Sequence, residues 1–187
     1  MSANLTKIKS LLPSTAVLIP LPLGRKKPIT DGWQNTTLDD TLSADHQEKL
    51  SRSNIGVVVG RPSRGLCSID IDDNEAVQPF LDLNPRLTDS LRTKGARGCN
   101  IWVQIIGHHP KAHPLKNKGG EKFGEWRADG NQTVIAGRHP DGHDYSIVVS
   151  NPPVQIRFDD IAWPDDLILG HPRQAKTQSF DFQRNLT

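Results

Sequence analysis

Alternation of apolar and polar residues is clearest in LCSIDID, Leu66 to Asp72, where Cys67, Ile69 and Ile71 fall on one side of an extended chain. Ser68, Asp70 and Asp72 fall on the other, the period of two that marks a β-strand. NIGVVVG, Asn54 to Gly60, is instead continuously apolar and predicts a strand buried on both faces. Further strands are predicted at Ala16 to Leu23, Cys99 to Ile106, Phe123 to Arg127, Gln132 to Ala136 and Asp144 to Val149. Helices are predicted at Leu5 to Leu12, Asp39 to Leu50 and Glu75 to Leu83. Gly, Pro, Asn and Lys clusters separate these segments and read as loops.

Strands therefore dominate the middle and helices the first half, which predicts an α+β domain rather than a doubly wound sheet. With 187 residues the chain holds one well-buried domain, expected over 1–164. From 165 to 187 a polar C-terminal tail or linker is expected, ending in TQSFDFQRNLT. No apolar run approaches the roughly 20 residues of a membrane span, and the N-terminus lacks the zones of a secretory signal, so a cytoplasmic protein is expected. The net charge of +2 permits a polyanionic partner without demanding one. Cys67 and Cys99 lack the spacing of a zinc site and read as buried free thiols.

Two residues apart on a strand, Asp70 and Asp72 project from one face with Cα atoms roughly 7 Å apart and can converge on one cation. A bare pair of this kind equally fits an edge strand with its polar side in water. Oxygen-only ligands suit Mg²⁺ or Mn²⁺ and make phosphoryl transfer the natural reaction class. Glu125, on a strand face with Arg127, is the candidate third acid, although a surface ion pair explains the same spacing. Lys26, Lys27, Lys94, Arg97, Arg127 and Arg138 lie in or beside turns where they could hold phosphates. His139, in GRHPDG, could contact a nucleotide phosphate, whereas His108, His109 and His113 read as loop residues. Trp33, Trp102, Trp126 and Tyr145 could stack bases, but at 5% aromatics most are expected in the core.

Taken in order, GRKKPITDGW, NIGVVVGRPSRGLCSIDID, RGCNIWV and FGEWRADGNQTVIAGRHPDGHDY resemble the N-terminal domain of bifunctional DNA primase/polymerases, in the archaeo-eukaryotic primase superfamily. The similarity runs from about Leu18 to Val149. It implies an RRM-like mixed or antiparallel sheet with a smaller α/β unit. It also implies two Mg²⁺ or Mn²⁺ ions on Asp70, Asp72 and Glu125, with Asn100, Arg97, Arg127, His139 and Lys27 at the nucleotide. The implied reaction is template-directed joining of nucleoside triphosphates, NTP or dNTP, on a DNA template and primer in plasmid- or phage-type replication. A helicase, as a further domain or a separate protein, is an implied partner.

One departure is Asn100, which stands where many relatives carry a nucleotide-binding histidine. An amide still donates a hydrogen bond but carries no charge. The departure motivates an alternative, a replication-initiation module that binds DNA and nucleotide with weak or no catalysis. A metal-dependent nuclease or DxD-type transferase shares the acid pair but not the ordered company of the other segments.

Overall fold

The structure is a computed structural model that describes residues 3–169. Along the chain run α1 (Ala3–Leu11), β1 (Val17–Leu21), α2 (Leu38–Leu42), α3 (Ala44–Ser51), β2 (Asn54–Val58), β3 (Leu66–Ile71) and α4 (Asn74–Leu83). There follow β4 (Arg92–Lys94), β5 (Cys99–Ile105), β6 (His113–Asn117), β7 (Lys122–Arg127), β8 (Gln132–Ala136), β9 (Ser146–Val149), β10 (Val154–Ile156) and β11 (Leu167–Ile168). The fold is mixed α+β, as the strand and helix pattern predicts, with few helices and mainly antiparallel pairing.

Two sheets carry the fold. The smaller has the order β1-β2-β8, and the larger β11-β6-β7-β3-β5-β4-β9, with β10 parallel to the far half of β5. One face of the larger sheet presents Cys67, Ile69 and Ile71 to α4, whose Phe80 and Leu81 join the same apolar cluster. The other face meets the smaller sheet. There Leu66 and Trp102 pack with Ile55, Val57 and Ile135 and with Leu5 and Ile8 of α1. Val17, Ile19, Val58 and Val134 form a third cluster on the outer side of the smaller sheet. The strand β2 lies between the second and third clusters, which is why the segment is apolar from Ile55 to Gly60, after the buried Asn54.

Several elements differ from the sequence expectation. The helix predicted over Asp39 to Leu50 is two helices, because Ser43 adopts extended backbone, ends α2 and caps α3 by accepting a hydrogen bond from the His46 N–H. Thr37 and Asp40 form a capping box at the start of α2. The strands β4, β6, β10 and β11 carry no readable alternation. They are three, five, three and two residues long, and their pairing partners decide them. His113, expected in a loop, lies in β6, whereas His109 lies in a loop as expected, buried with its ring edge-on to Trp126. Within the stretch expected as a tail, Leu167–Ile168 pairs with β6, while TQSFDFQRNLT lies outside the described residues. Cys67 and Cys99 are buried and free; burial pushes the Cys67 thiol far up and the Cys99 thiol up to about 11. Among the described residues no helix is long and apolar enough to cross a membrane.

Candidate functional site

Strand β3 runs between β5 and β7, so Asp70 is paired with Asn100 on one side and Glu125 on the other. Directly paired residues share a face, which sets an amide and two acids in a row across three strands. One step back, Ser68 pairs with Trp102 and Arg127. Polarity rises along that face of β3 and into Asp72, just past its end. Leu66 and Ser68 are buried, the Asp70 side chain is 16% exposed and the Asp72 side chain 29%. Close pairing here requires Gly124, because a Cβ at that position would drive into the Asp70 carbonyl oxygen. Gly98 has φ +61 and turns the chain from β4 into β5 against the Ile71 carbonyl, where only glycine fits.

The acids are held by specific cations. Arg127 donates from Nε and Nη2 to Asp70 Oδ2 at 2.9 and 2.7 Å, and its Nη2 lies 3.0 Å from Glu125 Oε2. Glu125 Oε1 accepts from Asn131 at 3.0 Å, and Lys122 Nζ lies 2.8 Å from Asp72 Oδ2. Burial pushes the Asp70 carboxyl above its ordinary pKa; Arg127 pulls against this, while Asp72 and Glu125 reinforce it. Behind the acids, Ser68 Oγ donates to Asn100 Oδ1 at 3.3 Å and meets Thr133 Oγ1 at 3.0 Å, tying β3 to β8 of the other sheet.

Above this floor lies a cavity of about 800 Å³, which falls in the size range of small-molecule sites. Asp70, Asp72 and Asn100 line it together with four cations, Lys26, Arg97, Lys122 and Arg127. Gln132 and Thr133 enter from β8, and His139 and Tyr145 from the segment that follows. Burial pushes the Tyr145 hydroxyl up to about 12, with the Asp70 charge acting in the same direction. An acid floor under a cationic rim suits a ligand that brings its own anionic groups.

The structure thus brings Asp70, Asp72, Asn100, Arg97, Arg127 and His139 to one cavity. Two of the sequence candidates stand apart from its lining. Glu125 lies beside Asp70 in register, but both its oxygens are engaged by Arg127 and Asn131 and it is not among the lining residues. Lys27 is exposed outside the cavity, and its neighbour Lys26 lines it. The Lys26 carbonyl accepts from Gln132 Nε2 at 2.6 Å, which anchors this loop over β8. Lys94 is held by Asn74, and Arg138 pairs with Asp144. Of the possible stacking aromatics, Tyr145 alone lines the cavity; Trp102 and Trp126 are fully buried, and Trp33 packs on the third cluster. Lys122, Gln132 and Thr133 were invisible to sequence reasoning, since the contact of Ser68 with Thr133 spans 65 residues.

Among the described residues no three His, Cys, Asp or Glu side chains converge as a metal-holding group. The pair Asp70 and Asp72 nevertheless fits a hard divalent cation. Each keeps its Oδ1 without a hydrogen bond from the described residues, and both face the cavity. Mg²⁺ needs only one or two carboxylates when phosphate and water complete its shell. Glu125 would have to leave Asn131 or Arg127 to join them.

The fold and site together define an α+β protein with an acid-floored, cation-rimmed cavity between two sheets. Residues 12–160 match the family model described as bifunctional DNA primase/polymerase, N-terminal, and the chain belongs to this Prim-Pol family. The match extends beyond both ends of the Leu18 to Val149 span that carries the resemblance in sequence. No curated protein matches the chain.

Proposed function

We propose that this protein is a DNA primase/polymerase catalysing template-directed nucleotidyl transfer from nucleoside triphosphates in plasmid- or phage-type replication. The observation that carries this reading is the pair Asp70 and Asp72 facing a cavity rimmed by Lys26, Arg97, Lys122 and Arg127, in a chain of the Prim-Pol family. Asp70 and Asp72 would hold Mg²⁺ or Mn²⁺, with Glu125 as the third acid. When bound, such ions activate the primer hydroxyl and neutralise charge on the triphosphate and the departing pyrophosphate. The rim cations offer ionic contacts to the phosphates, and Asn100 and His139 offer uncharged hydrogen bonds in the same cavity. Lys27, exposed beside the lining residue Lys26, is a further candidate for the nucleotide. Arg127 orients Asp70 through two hydrogen bonds to one carboxylate oxygen.

In this reading the catalytic domain expected over 1–164 runs on through β11, whose Leu167 joins the core of the larger sheet. The larger sheet with α4 corresponds to the RRM-like part, and the smaller sheet with α1, α2 and α3 to the α/β unit. A cytoplasmic location and a helicase, in the same polypeptide or separate, complete the proposal. The test is incubation of the protein with primed template, labelled nucleotides and Mn²⁺. Synthesis by the wild type and its loss in the double variant D70A/D72A, folded as judged by circular dichroism, is the expected result. Undiminished synthesis by that variant would exclude the site, and binding by the wild type without any product would favour the initiation module instead.

A further inference from the structure

His139 is buried to 6% exposure and still lines the cavity. The segment GRHPDG folds back on itself, with the His139 N–H donating to the His143 carbonyl at 2.6 Å and the Gly142 N–H to the His139 carbonyl at 2.9 Å. Within this turn the Asp141 N–H donates to His139 Nδ1 at 3.1 Å. A ring nitrogen that accepts an N–H bond has no proton of its own, so the single ring proton of the neutral imidazole falls on Nε2. Asp141 Oδ2 also lies 3.3 Å from Nδ1, but a proton on that nitrogen would collide with the Asp141 N–H. Burial, followed by the Lys26 charge, lowers the His139 pKa and keeps the ring neutral at neutral pH.

The other side of the ring is unpartnered. Nε2 has no hydrogen-bond partner among the described residues, and it faces Gly95, itself a lining residue. A Cβ on Gly95 would sit 3.2 Å from His139 Cδ2 and 3.3 Å from Tyr145 Cε1. The two rings are 5.5 Å apart at 59°, so Gly95, His139 and Tyr145 form one closely fitted wall. A donor fixed on both sides loses little conformational freedom when it binds.

We propose that His139 is a tautomer-locked Nε2–H donor that hydrogen-bonds an oxygen of the bound nucleotide, with the Asp141 backbone as its locking partner. The proposal rests on the nucleotidyl-transfer reading and assigns to an uncharged group across the cavity part of the binding for which Asn100 supplies no cation. The oxygen belongs either to the phosphates or to the sugar.

Substitution distinguishes the two ring nitrogens, because the glutamine amide reaches the place of Nε2 and the asparagine amide that of Nδ1. Titration with a fluorescent deoxynucleoside triphosphate in the presence of Mg²⁺ should give H139Q an affinity within about twofold of the wild type. H139N and H139A should bind about three- to tenfold more weakly, the loss expected of one neutral hydrogen bond. Competition by inorganic tripolyphosphate and by the deoxynucleoside assigns the oxygen, according to which competitor loses affinity in H139N. Equal affinity of H139Q and H139N, or wild-type affinity of H139A, would overturn the proposal. Nitrogen-15 shifts of the wild-type ring give a check independent of variant folding: a protonated Nε2 and bare Nδ1 are expected, and the reverse would refute the lock. Absence of nucleotide binding by the wild type would overturn the nucleotidyl-transfer reading itself, and the donor with it.

Discussion

At the residue scale, burial changes what individual side chains can do. Asp70 is an acid in a largely dry setting, kept tolerable by Arg127, whose guanidinium also reaches Glu125. His139 pays for its place in the cavity wall with a lowered pKa, and the sign of the consequence follows from linkage. An unfolded histidine titrates near 6.5, and folded His139 does so below that value, because burial, Lys26 and His143 lower it and outweigh Asp141, which raises it. Between the two values the unfolded chain binds more protons, so this contribution is fully present above about pH 6.5 and is lost as pH falls through the folded pKa. Urea unfolding at about pH 7 and pH 5 should therefore show a larger acid-induced loss of stability in the wild type than in H139Q. Identical losses would mean that His139 titrates normally in the folded state.

At the element scale, the edge strand β1 illustrates how short helices serve the sheet. Side chains satisfy backbone groups on both of its edges: Val17 N–H donates to Ser63 Oγ at 2.9 Å on the β2 side, and Leu18 N–H to Thr41 Oγ1 at 3.0 Å on the outer side. Thr41, on the five-residue α2, returns a bond to the Leu18 carbonyl, so one hydroxyl serves both groups of a buried residue. T41V keeps the volume and removes the partner. It should cost about 1–3 kcal/mol in denaturant unfolding, the penalty for leaving a buried N–H unpaired; an unchanged midpoint would show that water or backbone movement repairs the loss. The same logic separates elements that were readable from those that were not. LCSIDID and NIGVVVG announce themselves because each strand has a full face, or two, in an apolar cluster. In β4 the buried member is Thr93, bonded to the Trp102 indole at 2.9 Å, and in β6 it is Leu115. A strand recognised by one partner rather than by its own pattern leaves almost no trace in local sequence.

At the scale of the whole molecule, the candidate site exists because two sheets face each other. The apolar end of their interface holds Trp102, fully buried, and the polar end opens into the cavity. W102A should cost about 3–5 kcal/mol of stability in urea unfolding, the range for emptying a large core position. Nucleotide affinity should fall with it, since Lys26, Gln132 and Thr133 approach the acids from across this junction. Retained affinity at full occupancy of the folded state would show that the two walls are positioned independently.

Local order was enough to turn Asp70 and Asp72 to one side, although Asp72 falls just past the end of β3, to put Arg127 beside Glu125, and to assign the cysteines to the interior, because these follow from alternation and hydropathy within a few residues. Tertiary structure decided which groups meet: Asn131 holds Glu125 out of the cavity lining, Lys26 occupies the place expected of Lys27, and Thr133 closes on Ser68. Those outcomes depend on strand register and on hydrogen bonds between distant segments, and such contacts are chosen by the packing of the whole chain rather than by any window of it.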